Sequence, residues 1–260
     1  MAIWKRACTN SADMSRVLIT IPVYNESKII KKNLEVLCDA CAADIPEHDW
    51  FVEVADNASD DGTASIVEQV MQSRPRVLLR RIATRGKGGA IRASWLAHAH
   101  DQDVLVFMDA DLAADVHALP RLIGPIVRDE TDLCCGSRFV GASKVERSFL
   151  RNAVSWAFRL WQRLVLGLPV KDSQCGFKAA SSQLVRDIVP RMRETGFLVD
   201  AELLAFANAR RFRIAEIPVD WIEHRDASRQ STVKLWRDGW KFLWGAWRIR
   251  RRVHLSTASR

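Results

Sequence analysis

Two aspartates, in Asp109-Ala110-Asp111, close the apolar run Val104-Leu105-Val106-Phe107-Met108. Carboxylates at i and i+2 leaving a strand end can converge on one hard divalent cation, directly or through a bound diphosphate. A cation there would stabilise the charge that develops on a departing nucleoside diphosphate. Asp-x-Asp is common in solvated turns, so the pair carries weight only in company. Asp56 directly follows a second apolar run, where a carboxylate can hydrogen-bond a base or a ribose. Lys87, in Arg85-Gly86-Lys87-Gly88-Gly89, sits in a glycine-rich turn opening a helix, and backbone N–H groups there suit a phosphate. That turn is not G-x-x-x-x-G-K-[ST], since the lysine lies between glycines and Ala90 follows, which disfavours a P-loop ATPase. No G-x-G-x-x-G succeeds the first apolar run, which disfavours a dinucleotide fold.

These residues need a scaffold that delivers them to one edge. Residues 17–21, 51–55, 77–79 and 104–108 are short β-rich apolar runs and read as strands. Ile29, Ile30, Leu34, Leu37, Cys38 and Cys41 recur at helical spacing, and 63–71 and 88–99 read as further helices. Strands alternating with helices up to residue 127 predict an α/β domain, with right-handed crossovers and a mostly parallel sheet covered on both faces. Ligands of such sheets bind at the carboxyl ends of the strands. Tyr24-Asn25-Glu26, Asp56-Asn57 and Asp109-Ala110-Asp111 all fall there. Beyond residue 140 the alternation fails and arginines mix with tryptophans.

The chain has 260 residues, 48% hydrophobic and 27% charged, which excludes wholesale disorder. No run of eighteen uncharged apolar residues exists, and no apolar run follows Lys5-Arg6, so neither a transmembrane helix nor a secretory leader is expected. Six cysteines, with one C-x-x-C at Cys38 and Cys41 and no second pair, fit neither a zinc site nor a disulfide framework. Buried reduced thiols in a cytosolic protein are expected instead. The net charge is +8, and from Lys234 onward eight basic residues face Asp238 alone. A basic cluster of that kind argues for an anionic partner, a lipid surface or a nucleic acid.

Pro22-Val23-Tyr24-Asn25-Glu26, then 56–63 (Asp-Asn-Ala-Ser-Asp-Asp-Gly-Thr), then Asp109-Ala110-Asp111 resemble the ordered signatures of glycosyltransferase family 2. Arg85-Gly86-Lys87-Gly88-Gly89-Ala90, Gly136-Ser137-Arg138 and 172–178 (Asp-Ser-Gln-Cys-Gly-Phe-Lys) look like its polyprenyl-phosphate branch, nearest to dolichyl-phosphate β-glucosyltransferase. The resemblance runs from residue 17 to 252 and implies a GT-A fold and a nucleotide-sugar donor. It divides the chain into a tail (1–16), a catalytic domain (17–230) and a basic, tryptophan-rich end (231–260). Within the domain, 17–127 would bind the nucleotide sugar and 128–230 the acceptor. Pro22, Tyr24, Glu26, Asp56, Asn57, Lys87 and Asp109-Ala110-Asp111 would line the nucleotide-sugar site. Asp109 and Asp111 would hold Mg²⁺ or Mn²⁺, and Arg138 would join them in catalysis. Arg138, Arg151, Arg225, Gln174 and Lys178 would meet the acceptor phosphate. Two departures stand out, Ala58 at a usual glycine position and Asn57 at a common aspartate, and Thr232 further on occupies an expected lysine position. Asp200 and Glu202 match an acidic motif of the family, with sugar positioning and helix capping both open as roles.

On a helix through 234–252, Trp236, Trp240, Trp244 and Trp247 fall within an arc of about 80°. Arg237, Lys241, Arg248 and Arg252 lie beside it, while Leu235, Phe242, Ala246 and Ile249 form a separate face. Tryptophans flanked by cations suit headgroup level, so this helix is expected to dock peripherally on the cytoplasmic face of a membrane. A second amphipathic helix is expected over 151–166, with Val154, Phe158, Trp161 and Val165 on one face. The acceptor chemistry agrees. A phosphate monoester, with a second pKa of about 6, is largely dianionic and already nucleophilic. A hydroxyl acceptor would need a carboxylate base. In-line attack would turn an α-linked donor sugar into a β-linked lipid product, with UDP-glucose expected as donor ahead of GDP-mannose. The rival readings are a family 2 enzyme acting on a saccharide hydroxyl, a nucleic-acid-binding protein using the basic end, and a non-catalytic nucleotide-sugar binder. No nucleic-acid partner is expected.

Overall fold

A computed structural model describes residues 14–140, 161–221 and 235–258. Seven strands form one sheet: β1 (Arg16–Val23), β2 (Asp49–Asp56), β3 (Val77–Arg81), β4 (Val104–Met108), β5 (Leu133–Ser137), β6 (Phe177–Ser181) and β7 (Ile214–Pro218). Their order is β3-β2-β1-β4-β6-β5-β7, and β6 alone runs antiparallel to its neighbours. The strand and helix alternation expected up to residue 127 is present and closes on a nine-residue helix over 119–127, which the sequence pattern did not delimit.

Alternation along each strand sends side chains to two cores, as a period of two requires. Val17, Ile19, Ile21, Val104, Val106 and Cys134 face one core. There they meet α1 (Ile30–Asp44), α2 (Thr63–Ser73) and α4 (Leu119–Val127). Leu18, Leu105, Phe107 and Cys135 face the other, against α3 (Lys87–His98), α5 (Ser182–Ile188), α6 (Val199–Ala209) and Ile249 of α7 (Leu235–Ala258). Strands β2 and β3 lie on one side of β1 and β4 on the other, so the topological switch falls between β1 and β4, where open α/β sheets take ligands.

The antiparallel β6 has a positional consequence. Its first residue, Phe177, pairs with Met108, the last of β4. The chain leading into β6 therefore passes over the residue that follows Met108, namely Asp109. The Asp109 N–H donates to the Gly176 carbonyl at 3.1 Å.

The C-terminal helix forms as expected and runs further, to Ala258. Ala246 and Ile249 are fully buried, while Trp244 and Trp247 are 59% and 47% exposed and meet edge to face. Arg252 corrects the expected cationic flank, because it turns inward to Glu194 and Glu202, while Arg248 stays largely exposed and touches only Glu194 at 3.4 Å. The side chains of Leu235, Trp236, Arg237, Trp240, Lys241 and Phe242 lie outside the described residues, as does most of the second amphipathic helix. Of that segment 161–166 is helical, with Gln162 buried and Leu164 exposed. Among the described residues no helix is long and apolar enough to cross a membrane.

Candidate active site

The carboxyl ends of β2, β1 and β4 stand side by side and carry the residues singled out above. Two loops are stitched together at the β1/β2 end. Asn25, at φ 55°, donates from Nδ2 to Asp60 at 2.7 Å, and its Oδ1 accepts the Asp60 N–H at 3.0 Å. The Glu26 N–H donates to Thr63 Oγ1 at 2.9 Å, and the Ser27 N–H to Asp61 at 3.0 Å. Asp61 also accepts from Thr63, and these donors outweigh its partial burial and hold its carboxyl at about 2. Asp56 is buried and accepts the Ser59 N–H at 3.1 Å. Asn57 is buried too, with an Oδ1 that has no donor in the structure. Pro22 is buried at the end of β1. Tyr24 is half-buried, and the Arg85 guanidinium lies 3.7 Å above its ring. Ala58 takes the left-handed conformation, φ 61°, at the position where the sequence lacks the family glycine.

At the end of β4, Asp109 keeps 35% of its side chain exposed. Lys87 Nζ lies 2.7 Å from Asp109 and 3.6 Å from Asp200. Lys178, with no exposed surface, lies 2.6 Å from the other oxygen of Asp200 and donates to the Ser173 and Cys175 carbonyls. The four charges alternate as Asp109, Lys87, Asp200, Lys178. Burial works against both ammonium groups, but the facing carboxylates outweigh it and hold each above the ordinary lysine value. Gly176 fits against this array because it has no side chain: a Cβ there would stand 2.0 Å from an Asp109 oxygen. Ala110 is buried, its carbonyl accepting from Asn33 at 2.8 Å. Asp111 is half-buried and accepts the Ala113 N–H at 3.2 Å.

Three expectations need correcting. Lys178 is not available to an acceptor phosphate, since its ammonium is enclosed and bonded to three oxygens. Arg138 is 8% exposed and forks onto Asp172 at 2.7 and 2.9 Å, with Trp221 4.7 Å from its guanidinium. Burial disfavours its charge, yet Asp172 keeps it firmly protonated, so Arg138 is an anchored part of the wall. The glycine turn at Lys87 does not present free amides to a phosphate. The Gly88 and Gly89 N–H groups, among those a helix start leaves unpaired, donate to the Thr195 carbonyl at 2.8 and 3.2 Å.

Gln174 is half-buried, its Nε2 donating to Gln162 at 3.2 Å. Arg151 and Arg225 lie outside the described residues. The sequence reading missed Arg85, Asp172, Gly176 and Thr195 as parts of the site and left the role of Asp200 open. A signal for the buried pairs was present, since Lys178 interrupts the run Phe177 to Ala180 and Asp200 and Glu202 interrupt Leu198 to Leu204. Charges inside apolar runs are almost never buried unless paired.

Residues 18–188 match the family model for glycosyl transferase family 2. The chain belongs to that family. It is 37% identical over 215 residues to an undecaprenyl-phosphate mannosyltransferase of Micrococcus luteus, covering 80% of this chain and 84% of that one. It is 32% identical over 218 residues to a dolichyl-phosphate beta-glucosyltransferase of Trichomonas vaginalis, and 30% identical over 218 residues to glycosyltransferase AglD of Haloferax volcanii. These matches cover 80% and 84% of this chain. The chain spans only 64% and 35% of the length of those two relatives. Among solved structures, glucosyl-3-phosphoglycerate synthase of Mycobacterium tuberculosis, crystallised with Mn²⁺, UDP and phosphoglyceric acid, superposes with TM-score 0.63 at 21% identity. That match covers 89% of this chain and 78% of the other, and the fold is accordingly GT-A.

Proposed function

We propose that this protein is an inverting glycosyltransferase moving a hexose from a nucleotide-diphospho-sugar, UDP-glucose, to a polyprenyl or dolichyl phosphate. The observation that carries the acceptor class is the pairing of carboxylates. Asp109 and Asp200 face Lys87, Asp200 also faces Lys178, and Asp172 is locked to Arg138. A carboxylate held by a cation is a poor proton acceptor, and a phosphate dianion needs none.

Among the described residues no three His, Cys, Asp or Glu side chains cluster as a self-sufficient metal site. Two carboxylates at one strand end suit Mg²⁺ or Mn²⁺ shared with a diphosphate and water, so Asp109 and Asp111 fit the ion expected of them. Bound there, it would offset negative charge on the leaving nucleoside diphosphate. Lys87 would sit beside the same charge, Asp56 and Asn57 would meet the base or ribose, and Tyr24 would line the pocket beneath Arg85. On the acceptor side, Gln174, Arg151 and Arg225 remain candidates for the phosphate. The exposed Trp244 and Trp247 on α7 support peripheral attachment to the cytoplasmic face of a membrane.

The experiment is a panel of nucleotide sugars with a polyprenyl phosphate and Mg²⁺, scored for lipid-linked sugar. Product with UDP-glucose is expected, and transfer only to saccharide hydroxyls would overturn the reading. A second donor, GDP-mannose, is favoured by the undecaprenyl-phosphate mannosyltransferase relative, and the same panel separates the two. Asp111→Ala is expected to cut transfer to below about a tenth with the fold intact. Flotation with anionic vesicles should carry the protein upward, and Trp244→Ala with Trp247→Ala should weaken it.

A further inference from the structure

The C-terminal helix is joined to Lys87 by an unbroken series of contacts. On α7, Arg252 lies 2.6 Å from Glu194 and 2.7 Å from Glu202, and Arg248 reaches Glu194 at 3.4 Å. Glu202 has no exposed surface. It accepts the Arg193 N–H at 3.0 and 3.1 Å and the Glu194 N–H at 2.7 Å, so it fixes the loop entering α6. The next residue of that loop, Thr195, gives its carbonyl to the Gly88 and Gly89 amides. Gly86 and Gly88 leave no slack, since a Cβ on either would stand 2.5 Å from the Thr195 or Glu194 carbonyl oxygen. Lys87 lies between them. A second contact closes the same circuit: Gly245 of α7 abuts Leu198, where a Cβ would come within 2.1 Å.

Glu202 does more than hold Arg252. Removing Arg252 takes the ion-pair partner from a buried carboxylate and leaves it two backbone amides and the field of Arg92 on α3, with Glu194 nearby as a like charge. Unpaired buried charges are costly, and a loop that holds one relaxes toward solvent. The movement would begin at residues 193–195, the segment on which the Gly88 and Gly89 amides rest.

We infer that Arg252 and Glu202 are positioning residues for Lys87, with α7 acting on the β4 site through residues 193–195. This inference rests on the functional reading above only for its consequence in turnover. The coupling itself can be measured without substrate.

The test is backbone amide exchange on the full chain in Arg252→Ala and the milder Arg252→Gln, followed by donor kinetics. Exchange at Gly88 and Gly89 is expected to rise at least tenfold while the amides of Ile19 and Ile21 in β1 stay within about twofold. In kinetics, kcat is expected to fall about ten- to a hundredfold with donor KM changed less than about threefold, and Arg252→Lys should recover part of the loss. Glycine exchange unchanged in both variants, or rising only in step with the β1 amides in both, overturns the proposal. A wild type that transfers sugar to no acceptor sinks the functional reading and leaves the exchange result standing.

Discussion

The two halves of the sheet use charge differently. From β1 to β4, the polar residues of the candidate site emerge at strand ends, Asp56 and Asn57 buried but Tyr24, Glu26, Asp109 and Asp111 partly exposed, in loops held by short hydrogen bonds such as Asn25 to Asp60 and Glu26 to Thr63. From β5 to β7, the charged residues that resemble ligands are mostly inside, in tight pairs: Arg138 with Asp172, Lys178 with Asp200. The first arrangement leaves groups available to a ligand. The second spends them on holding a wall in place. A basic residue in a family motif is therefore not by itself a ligand contact: Arg138 and Lys178 are enclosed and paired, while Lys87 keeps some exposed surface beside Asp109.

Breaking the contact where the halves meet should have the largest effect. Gly176→Ala sets a methyl against the Asp109 carboxylate, and transfer is expected to fall about a hundredfold with little change in urea midpoint. A wild-type rate would show that 172–176 does not pack on the carboxylate. Next, Lys178→Met removes the enclosed partner of Asp200 and should cost about 3–5 kcal/mol in urea unfolding. A smaller loss than the same substitution at exposed Arg16, which pairs with Asp103, would erase the contrast between buried and surface charge.

The third prediction concerns pH. Glu53 is buried on β2, and although burial raises its pKa, bonds from His98, Arg80 and Ser94 bring it down to about 2. A depressed carboxylate adds stability above its unfolded value, near 4.5, and loses it as pH falls toward 2. The loss should be at most about 3 kcal/mol between those values, and Glu53→Gln should flatten it. The smallest effect is at Ala58. Ala58→Gly relieves a left-handed alanine and should raise stability by about 0.5–1 kcal/mol, read from the urea midpoint. An unchanged or lower midpoint would mean the loop carries no strain.

The same contrast explains what the sequence made legible. Apolar period and strand-end position revealed β1 to β4, their helices and Asp56, Asp109 and Asp111, because each strand is followed locally by its own loop. The antiparallel β6 could not be seen that way. Nothing local to Phe177 says that its partner is Met108, so the placement of Gly176 over Asp109 required the tertiary pairing. The Gly86 to Gly89 turn misled for a related reason. Its glycines do permit close backbone approach, but of Thr195 rather than of a phosphate. The helical arc in the C-terminal segment sorted its buried and exposed positions well at Ala246, Ile249, Trp244 and Trp247. It could not show that Arg252 finds two carboxylates 58 and 50 positions earlier, at Glu194 and Glu202.

Cys134 and Cys135 are consecutive residues of β5, both without exposed surface, and they point into opposite cores. Burial pushes the Cys134 thiol up to about 12 and raises Cys135 well above the ordinary thiol value, so neither reacts while its layer is closed. They amount to paired reporters, one for each side of the sheet. With the other thiols replaced, the order in which they take up a thiol reagent in mild urea would reveal which helical layer lifts away first.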